Sequence, residues 1–106
     1  MELKIFWTDF AKIELKSIYE YYKENAHQKI AKEIAKGISN ATLILKKHQS
    51  IGQIEELLTE MNPPIRYMIY TNYKILYRIL LDKNTIEILD VFDTRQNPKK
   101  MIRSAN

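Results

Sequence analysis

The stretch RYMIYTNYKILYRILLDKNTIEILDVFD, residues 66–93, decides the fold of this chain. It contains three runs rich in isoleucine and aromatic residues, at residues 66–70, 73–81 and 86–93. Short polar breaks that contain asparagine separate these runs, as in strands joined by tight hairpins. The stretch therefore predicts a meander of three antiparallel strands, against which the rest of the chain must pack.

Alternation along the middle run, residues 73–81, predicts two different faces for the sheet. The odd-numbered residues are Tyr, Ile or Leu and form a core face, because successive strand side chains point to opposite sides. The even-numbered residues mix leucine with Lys74 and Arg78, which is typical of a sheet covered by helices on one side only. The last run is apolar at both parities apart from Glu87 and Asp90, so parity alone leaves its orientation open.

Two amphipathic helices are predicted between a first strand, at residues 2–7, and the meander. Thr8 is a typical N-cap, and Asp9 suits the first helical turn because the helix dipole favours negative charge there. A polar break at residues 25–28 separates the helices. Gly37 lies inside the second helix, where glycine costs about 1 kcal/mol relative to alanine, so a close helix–helix or helix–sheet approach is expected there. The apolar stripes are Phe10, Ile13, Ser17, Ile18, Tyr21 and Tyr22 in the first helix and Ile30, Ile34, Ile38, Ala41, Thr42 and Leu45 in the second.

A long connection, residues 48–65, leads from the second helix to the meander. Connections of this length usually contain structure of their own, and Leu57 and Leu58 are the expected anchors. Glu55 and Glu56 have no partner at catalytic spacing, which indicates a solvated loop. The order strand, helix, helix and three strands predicts an α+β fold, with a helical hairpin packed on one face of a small, mostly antiparallel four-stranded sheet.

Length and composition narrow the class of protein. A chain of 106 residues with 45% hydrophobic content fits one domain over residues 1–106. The absence of cysteine excludes disulfides, thiolate metal sites and cysteine nucleophiles. No apolar run reaches the roughly 20 residues that span a bilayer, and no signal-peptide pattern is present, so we expect a cytoplasmic protein with no membrane partner. His27 and His48 are far apart with no companion carboxylate motif, so neither a metal site nor a cofactor is expected.

The excess positive charge lies entirely in the C-terminal tail, residues 94–106. Of the 17 basic and 13 acidic residues, residues 1–93 contain 13 of each sign, which leaves 17 − 13 = 4 cations and no acid for the tail. A basic tail favours an anionic partner such as nucleic acid or an acidic protein, although a solvated terminus has the same composition. The four cations are Arg95, Lys99, Lys100 and Arg103.

The order of elements and three segments of this chain resemble the RelE/ParE toxins of bacterial type II toxin–antitoxin modules. The segments are WTDFAKIEL at residues 7–15, NYKILYRI at 72–79 and VFDTRQNP at 91–98, and the resemblance spans essentially the whole chain. It implies a β-α-α-β-β-β fold and a cognate antitoxin whose C-terminal segment wraps the toxin, with a higher-order toxin–antitoxin complex as one form of assembly. It also implies one of two targets: ParE-like members poison DNA gyrase, whereas RelE-like members cut messenger RNA in the ribosome.

Cleavage of RNA needs catalytic groups that this chain offers only in part. Attack by a ribose 2′-hydroxyl requires a base, an acid and cations that stabilise the phosphate. The resemblance places Lys74 at the family's strand arginine and Arg95 at its late arginine, and with Arg78 these would be the catalytic residues of a ribonuclease. No histidine follows His48 and no tyrosine follows Tyr77, so the C-terminal imidazole or aromatic group of the nucleases has no counterpart.

The ParE-like mode of action is therefore favoured. In this interpretation the chain is a plasmid-stabilisation-like toxin, which inhibits growth by binding DNA gyrase through its tail and its open sheet face. A RelE-like endoribonuclease and a non-toxic family member stay open as alternatives, so the sequence leaves open whether the protein is an enzyme. For Arg78 an ion pair with Glu87 or Asp90 is an equal alternative to a target contact. The candidate target-binding residues are Arg95, Gln96, Lys99, Lys100 and Arg78.

Overall fold

The structure, a computed structural model, describes residues 2–101. Arg103, one of the four tail cations, lies outside the described residues. Single turns of 3₁₀ helix follow or join the main elements at Thr42–Lys46, Glu56–Leu58, Leu81–Lys83 and Pro98–Met101. The strands and helices are β1 (Lys4–Trp7), α1 (Asp9–Asn25), α2 (Gln28–Ala41), β2 (Gln53–Ile54), β3 (Arg66–Tyr70), β4 (Tyr73–Leu80) and β5 (Thr85–Asp93).

The strands form one sheet in the order β1-β5-β4-β3-β2. The meander of β3, β4 and β5 is antiparallel as predicted, while β1 lies parallel to β5. The sheet has five strands rather than the predicted four, because the long connection contributes β2, which pairs Gln53 with Tyr67 and Ile54 with Arg66. A strand of two residues is too short to give an alternating pattern, so the sequence did not reveal it.

The start of α1 is fixed to the sheet by Thr8. Its Oγ1 accepts a hydrogen bond from the Ala11 N–H at 3.2 Å, which confirms the predicted N-cap, and donates to the Ile88 carbonyl at 2.9 Å. The two helices form the predicted hairpin and cover one face of the sheet. A Cβ atom at Gly37 would overlap the Tyr70 hydroxyl, so the close helix–sheet approach expected at this glycine is confirmed. No helix within residues 2–101 has the length and apolar character needed to cross a membrane.

The main core lies between the helices and the sheet, and the core face predicted for residues 73–81 is confirmed from Tyr73 to Ile79. It is wrong at Leu81, which is 69% exposed in the turn after β4. The predicted helical stripes are wrong at four positions: Ile13, Tyr21 and Ile30 are 61%, 56% and 43% exposed, and Ser17 is exposed as well. Ala11 and Ala31 are fully buried instead, because their small side chains allow close packing on that side of each helix. The buried members of this core are Leu3, Ala11, Ile38, Leu45, Tyr73, Ile75, Tyr77, Ile86, Ile88 and Val91.

A second, smaller core lies on the opposite face of the sheet, which we call the tail face. The connection and the described part of the tail cover part of this face, as predicted. They do so with loops and short 3₁₀ turns. Its buried members are Leu58, Ile65, Leu76, Leu89, Phe92 and Met101.

A β-bulge in β5 explains why parity could not orient this strand. Leu76 pairs with Asp90 and Tyr77 pairs with Ile88, so Leu89 is the extra residue between two registers. Ile88 packs in the main core before the bulge and Val91 packs there after it. The inward-facing positions therefore change from even to odd numbers within one strand.

Candidate functional site

The described part of the tail, residues 94–101, folds back onto the tail face. Thr94 anchors its start, since its N–H and its Oγ1 both donate to the Asn72 carbonyl, at 2.9 and 2.8 Å. Met101 anchors its end and is only 1% exposed within the second core. Lys99 and Lys100, both exposed, lie between these anchors and are therefore held at a defined place on the surface.

The 3₁₀ turn that carries the two lysines is capped by Asn97. Its Oδ1 accepts from the Lys99 N–H at 3.1 Å, and its carbonyl accepts from the Lys100 N–H at 3.0 Å. Asparagine favours such local turns, because its side chain bonds the backbone two residues later. The sequence pattern Asn-Pro thus marks the start of this 3₁₀ turn.

Arg95 is fixed by the carboxylate two residues before it. Its Nε and Nη2 atoms donate to Oδ1 and Oδ2 of Asp93 at 3.0 and 2.8 Å, while Asn72 donates to the same carboxylate at 3.1 Å. The side-chain hydrogen bonds from Arg95 lower the pKa of Asp93 to about 2 and raise the pKa of Arg95. The Arg95 side chain is still 64% exposed. The guanidinium is therefore oriented, while its outer edge stays open to a further acceptor.

A cavity of about 300 Å³ lies between α1 and the end of β5, and both Arg95 and Gln96 line it. Glu14, Ser17 and Tyr21 form the α1 side of this cavity. Lys99 and Lys100 do not line it. The structure thus brings two of the predicted target-binding residues together and places the other two tail residues on a different surface.

The two cations predicted on β4 are both engaged by carboxylates. Lys74 Nζ lies 2.6 Å from Glu55 Oε1 and 4.2 Å from the centre of the Tyr67 ring. Arg78 Nε lies 2.6 Å from Glu87 Oε1, which is the ion pair considered as the alternative for Arg78. Each sheet cation therefore already has a negative partner on the tail face.

Glu55 does not belong to a solvated loop, and that prediction is wrong. This residue is 3% exposed, whereas Glu56 beside it is exposed. Its carboxylate binds Lys74 and also accepts from the Leu57 N–H at 3.2 Å, which caps the 3₁₀ turn Glu56–Leu58. The signal that could have found it is its position directly before a short Leu-Leu turn, where a carboxylate can serve as a cap.

A second cavity of about 390 Å³ opens on the tail face, and no local sequence pattern indicated it. Lys74 lines this cavity, whereas Arg95 lines the cavity beside α1, so these two candidate catalytic residues lie at different cavities. Ile54, Leu57, Pro98 and Met101 also line it. It forms where the connection and the tail meet over the sheet.

A third region of interest lies on the helical hairpin, where two adjoining cavities share Trp7 and Ser39. Apolar side chains line this strip together with four lysines, Lys4, Lys12, Lys16 and Lys46, and one carboxylate, Glu2. Leu43, which lines one of the two cavities, is 50% exposed. We call this region the hairpin strip, with Trp7, Leu15, Tyr19, Ala35, Ser39 and Leu43 as its lining residues.

Within residues 2–101 no group of three or more histidine, aspartate or glutamate side chains is arranged to hold a metal ion.

Comparisons with known proteins place this geometry in a family. No curated protein sequence matches the chain. A chain of the chromosomal ParDE toxin–antitoxin system from P. aeruginosa has the same fold with a TM-score of 0.74, at 20% identity over 87% of this chain and 96% of that one. The RelBE2 toxin–antitoxin complex from Mycobacterium tuberculosis contains a chain with a TM-score of 0.53, at 17% identity over 88% of this chain and 92% of that one.

The third comparison is with protein families, and its match covers most of the sequence. The model of the ParE toxin of the type II toxin–antitoxin system parDE matches residues 5–98. That span runs from β1 to the 3₁₀ turn of the tail and so includes every strand and both helices. The chain belongs to the ParE toxin family.

Proposed function

We propose that this protein is the toxin component of a plasmid-stabilisation-like toxin–antitoxin module and inhibits bacterial growth in the cytoplasm by poisoning DNA gyrase. One observation carries the proposal: Lys74 and Arg78 on the sheet are each 2.6 Å from a carboxylate and only 22% and 30% exposed, whereas the tail presents Lys99 and Lys100 at its surface. Arg95 is also paired, with Asp93, but its side chain stays 64% exposed. The chain is thus equipped for binding through its tail, and poorly equipped for phosphate chemistry on its sheet.

The physical argument concerns the charge at the sheet. Phosphoryl transfer needs cations that are free to stabilise the growing charge on the phosphate. A phosphate that approaches Lys74 also approaches Glu55, and one that approaches Arg78 also approaches Glu87, so attraction and repulsion largely cancel. The family assignment points the same way, since the match is to ParE toxins.

Target binding is proposed for Arg95, Gln96, Lys99 and Lys100, with Arg78 as a further contact. The ion pair of Arg78 uses its Nε atom, and its side chain is 30% exposed. A guanidinium carries five N–H donors, so its Nη groups can still bind an acceptor on the target.

A cognate antitoxin is proposed to neutralise the toxin by covering the hairpin strip. An amphipathic helix can lay its apolar face into such a strip, and the outer edge of β1 can receive an added strand. Lysines along the strip favour a partner segment with acidic residues. Assembly of several toxin and antitoxin chains into a higher-order complex is part of the same proposal.

The test is to express the chain without an antitoxin and, at the onset of growth arrest, to measure plasmid supercoiling and map messenger RNA 5′ ends. We expect cleaved or relaxed plasmid with intact messages. Arg95→Glu should relieve the arrest, whereas Lys29→Glu, an exposed charge reversal on α2, should not. New 5′ ends within translated codons and normal supercoiling would instead identify a ribonuclease. Unimpaired growth with the wild-type chain would identify a non-toxic member.

A further inference from the structure

The tail-face cavity combines features of a protein-binding site. It measures about 390 Å³ and lies between the segment Gln53–Leu57 and the described part of the tail. The ion pair of Lys74 with Glu55, 2.6 Å between Nζ and Oε1, forms the base of the cavity beside the Tyr67 ring. Because this cation is already neutralised, the base of the cavity attracts neither a phosphate nor a free carboxylate strongly.

The rim of the cavity is apolar and exposed. Leu57 lines the cavity and is 56% exposed. The Ile54 side chain points to the opposite face, because Ile54 pairs with Arg66 and Arg66 pairs with the main-core residue Tyr77. Ile69 lies directly opposite Lys74 in the ladder and is 54% exposed. Exposed aliphatic side chains grouped around a cavity are typical of a surface that buries an apolar group of a partner.

The charged side chains beside the cavity are positive on the tail side and negative on the opposite side. Lys99 and Lys100 are exposed and lie between Pro98 and Met101, which both line the cavity. Glu56 lines the cavity from the other side and is exposed. A partner that is acidic on the tail side therefore meets complementary charge, whereas a uniformly anionic strand meets repulsion at Glu56.

We propose that the tail-face cavity receives an apolar side chain of the target protein, with acidic residues next to that side chain contacting Lys99 and Lys100. The inference rests on the proposed function, because the target is taken to be DNA gyrase. It commits the tail face to a protein partner rather than to RNA, and it makes Leu57 and Ile69 specificity-determining residues. The hairpin strip remains available to the antitoxin on the opposite side of the sheet.

The experiment measures inhibition of purified DNA gyrase supercoiling by the full chain and its variants. Leu57→Asp and Ile69→Asp should each raise the concentration for half-inhibition about tenfold or more, as expected for the loss of an anchor contact. Leu57→Met should retain inhibition. Leu81→Asp is the matched control, because Leu81 is 69% exposed in the turn between β4 and β5 and lies outside the cavity. A thermal unfolding curve for each variant verifies that it is folded.

The contribution of charge is tested in the same assay. Lys99→Glu with Lys100→Glu should weaken inhibition and reduce its dependence on salt concentration, since two ionic contacts are lost. Lys29→Glu with Lys83→Glu makes the same change of net charge at exposed positions on α2 and on the β4–β5 turn, and should leave inhibition unchanged.

Each contrary outcome has its own meaning. Folded Leu57→Asp and Ile69→Asp variants that inhibit gyrase like the wild type overturn this inference and leave the proposed function intact. A wild-type chain that does not inhibit gyrase overturns both. Loss of binding to a single-stranded RNA probe in the aspartate variants, with gyrase inhibition unchanged, assigns the cavity to RNA. A wild-type dimer that Leu57→Asp dissociates in sedimentation experiments assigns it to a second copy of the chain.

Discussion

The hydroxyl oxygen of Tyr77 lies 3.0 Å from the backbone nitrogen of Gly52, and this hydrogen bond joins residues 25 positions apart. The same hydroxyl donates to the Gln49 carbonyl at 2.8 Å. Tyr77 is fully buried in β4, so one side chain fixes the start of the long connection to the middle of the sheet. A Cβ atom at Gly52 would lie 2.5 Å from that hydroxyl and 2.6 Å from the Tyr67 carbonyl, which explains glycine at this position.

We expect Tyr77→Phe to lower the free energy of unfolding by about 1–3 kcal/mol, because the buried Gly52 N–H then loses its partner. Urea denaturation measures this change. Tyr67→Phe is the control, since the Tyr67 hydroxyl bonds Gln53 in an exposed setting and should contribute well under 1 kcal/mol. Equal effects of the two substitutions would contradict the role assigned to Tyr77.

The ion pair of Lys74 with Glu55 gives a second prediction. Lys74→Met should destabilise the fold by about 3 kcal/mol, because it leaves a buried carboxylate without its cation. Adding Glu55→Gln should recover most of this loss, since the amide oxygen still accepts from the Leu57 N–H while the buried charge is removed. Urea denaturation at pH 7 measures both variants. A double variant no more stable than Lys74→Met alone would show that Glu55 stabilises the fold by other means.

Stability at acidic pH should depend on Asp93. Its pKa is lowered to about 2 in the folded chain by the hydrogen bonds from Arg95, below the value of about 4 in unfolded chains. The stabilisation is therefore complete above about pH 4 and is lost as the pH falls through 2. The stability difference between the wild type and Asp93→Asn should be constant near neutrality and should narrow over that acidic window. In Arg95→Gln, which removes the main cause, the narrowing should be smaller and should be complete at a higher pH, because the pKa of Asp93 in the folded chain then lies closer to its value in the unfolded chain.

Arg78 forms an ion pair with Glu87 and is also proposed to contact the target. Replacing both charged side chains with neutral ones separates these two roles. Arg78→Gln with Glu87→Gln should change the free energy of unfolding by no more than about 1 kcal/mol, because partly exposed pairs contribute little. Gyrase inhibition by this variant should weaken several-fold, because a proposed target contact is lost. Unchanged inhibition would leave Arg78 with the ion pair as its role. Arg78→Gln alone shows whether any loss depends on an unpaired Glu87.

Local patterns were sufficient to predict both helices, β1 and the three strands of the meander, but not β2. The alternation in residues 73–81 identified the core face of β4, and Thr8 identified the start of α1, because both signals depend on neighbours in the sequence. Gly37 predicted a close approach, and the Tyr70 hydroxyl occupies the space that a larger residue would need.

The features that the sequence did not reveal depend on contacts between distant segments. The β-bulge at Leu89 changes the facing positions of β5, and nothing local to that apolar strand marks it. Helix rotation is set by the buried residues Ala11 and Ala31, so larger side chains such as Ile13 remain at the surface. At the candidate site, the engagement of Lys74 by Glu55 joins segments 19 residues apart, and sequence spacing alone does not encode it.

The parallel pairing of β1 with β5 has a consequence for synthesis on the ribosome. Residues 4–7 pair with residues 85–88. The strand β1 is therefore synthesised first but has no partner in the sheet until β5, the last strand of the described chain, has been synthesised. Contacts of such long separation form late, because the intervening chain must close a long loop first. The native sheet therefore cannot assemble on a nascent chain that has not yet presented β5. If the proposed toxicity requires the folded sheet, the nascent chain is not toxic during translation. A partner that recognises the helices alone can then bind before the sheet has formed.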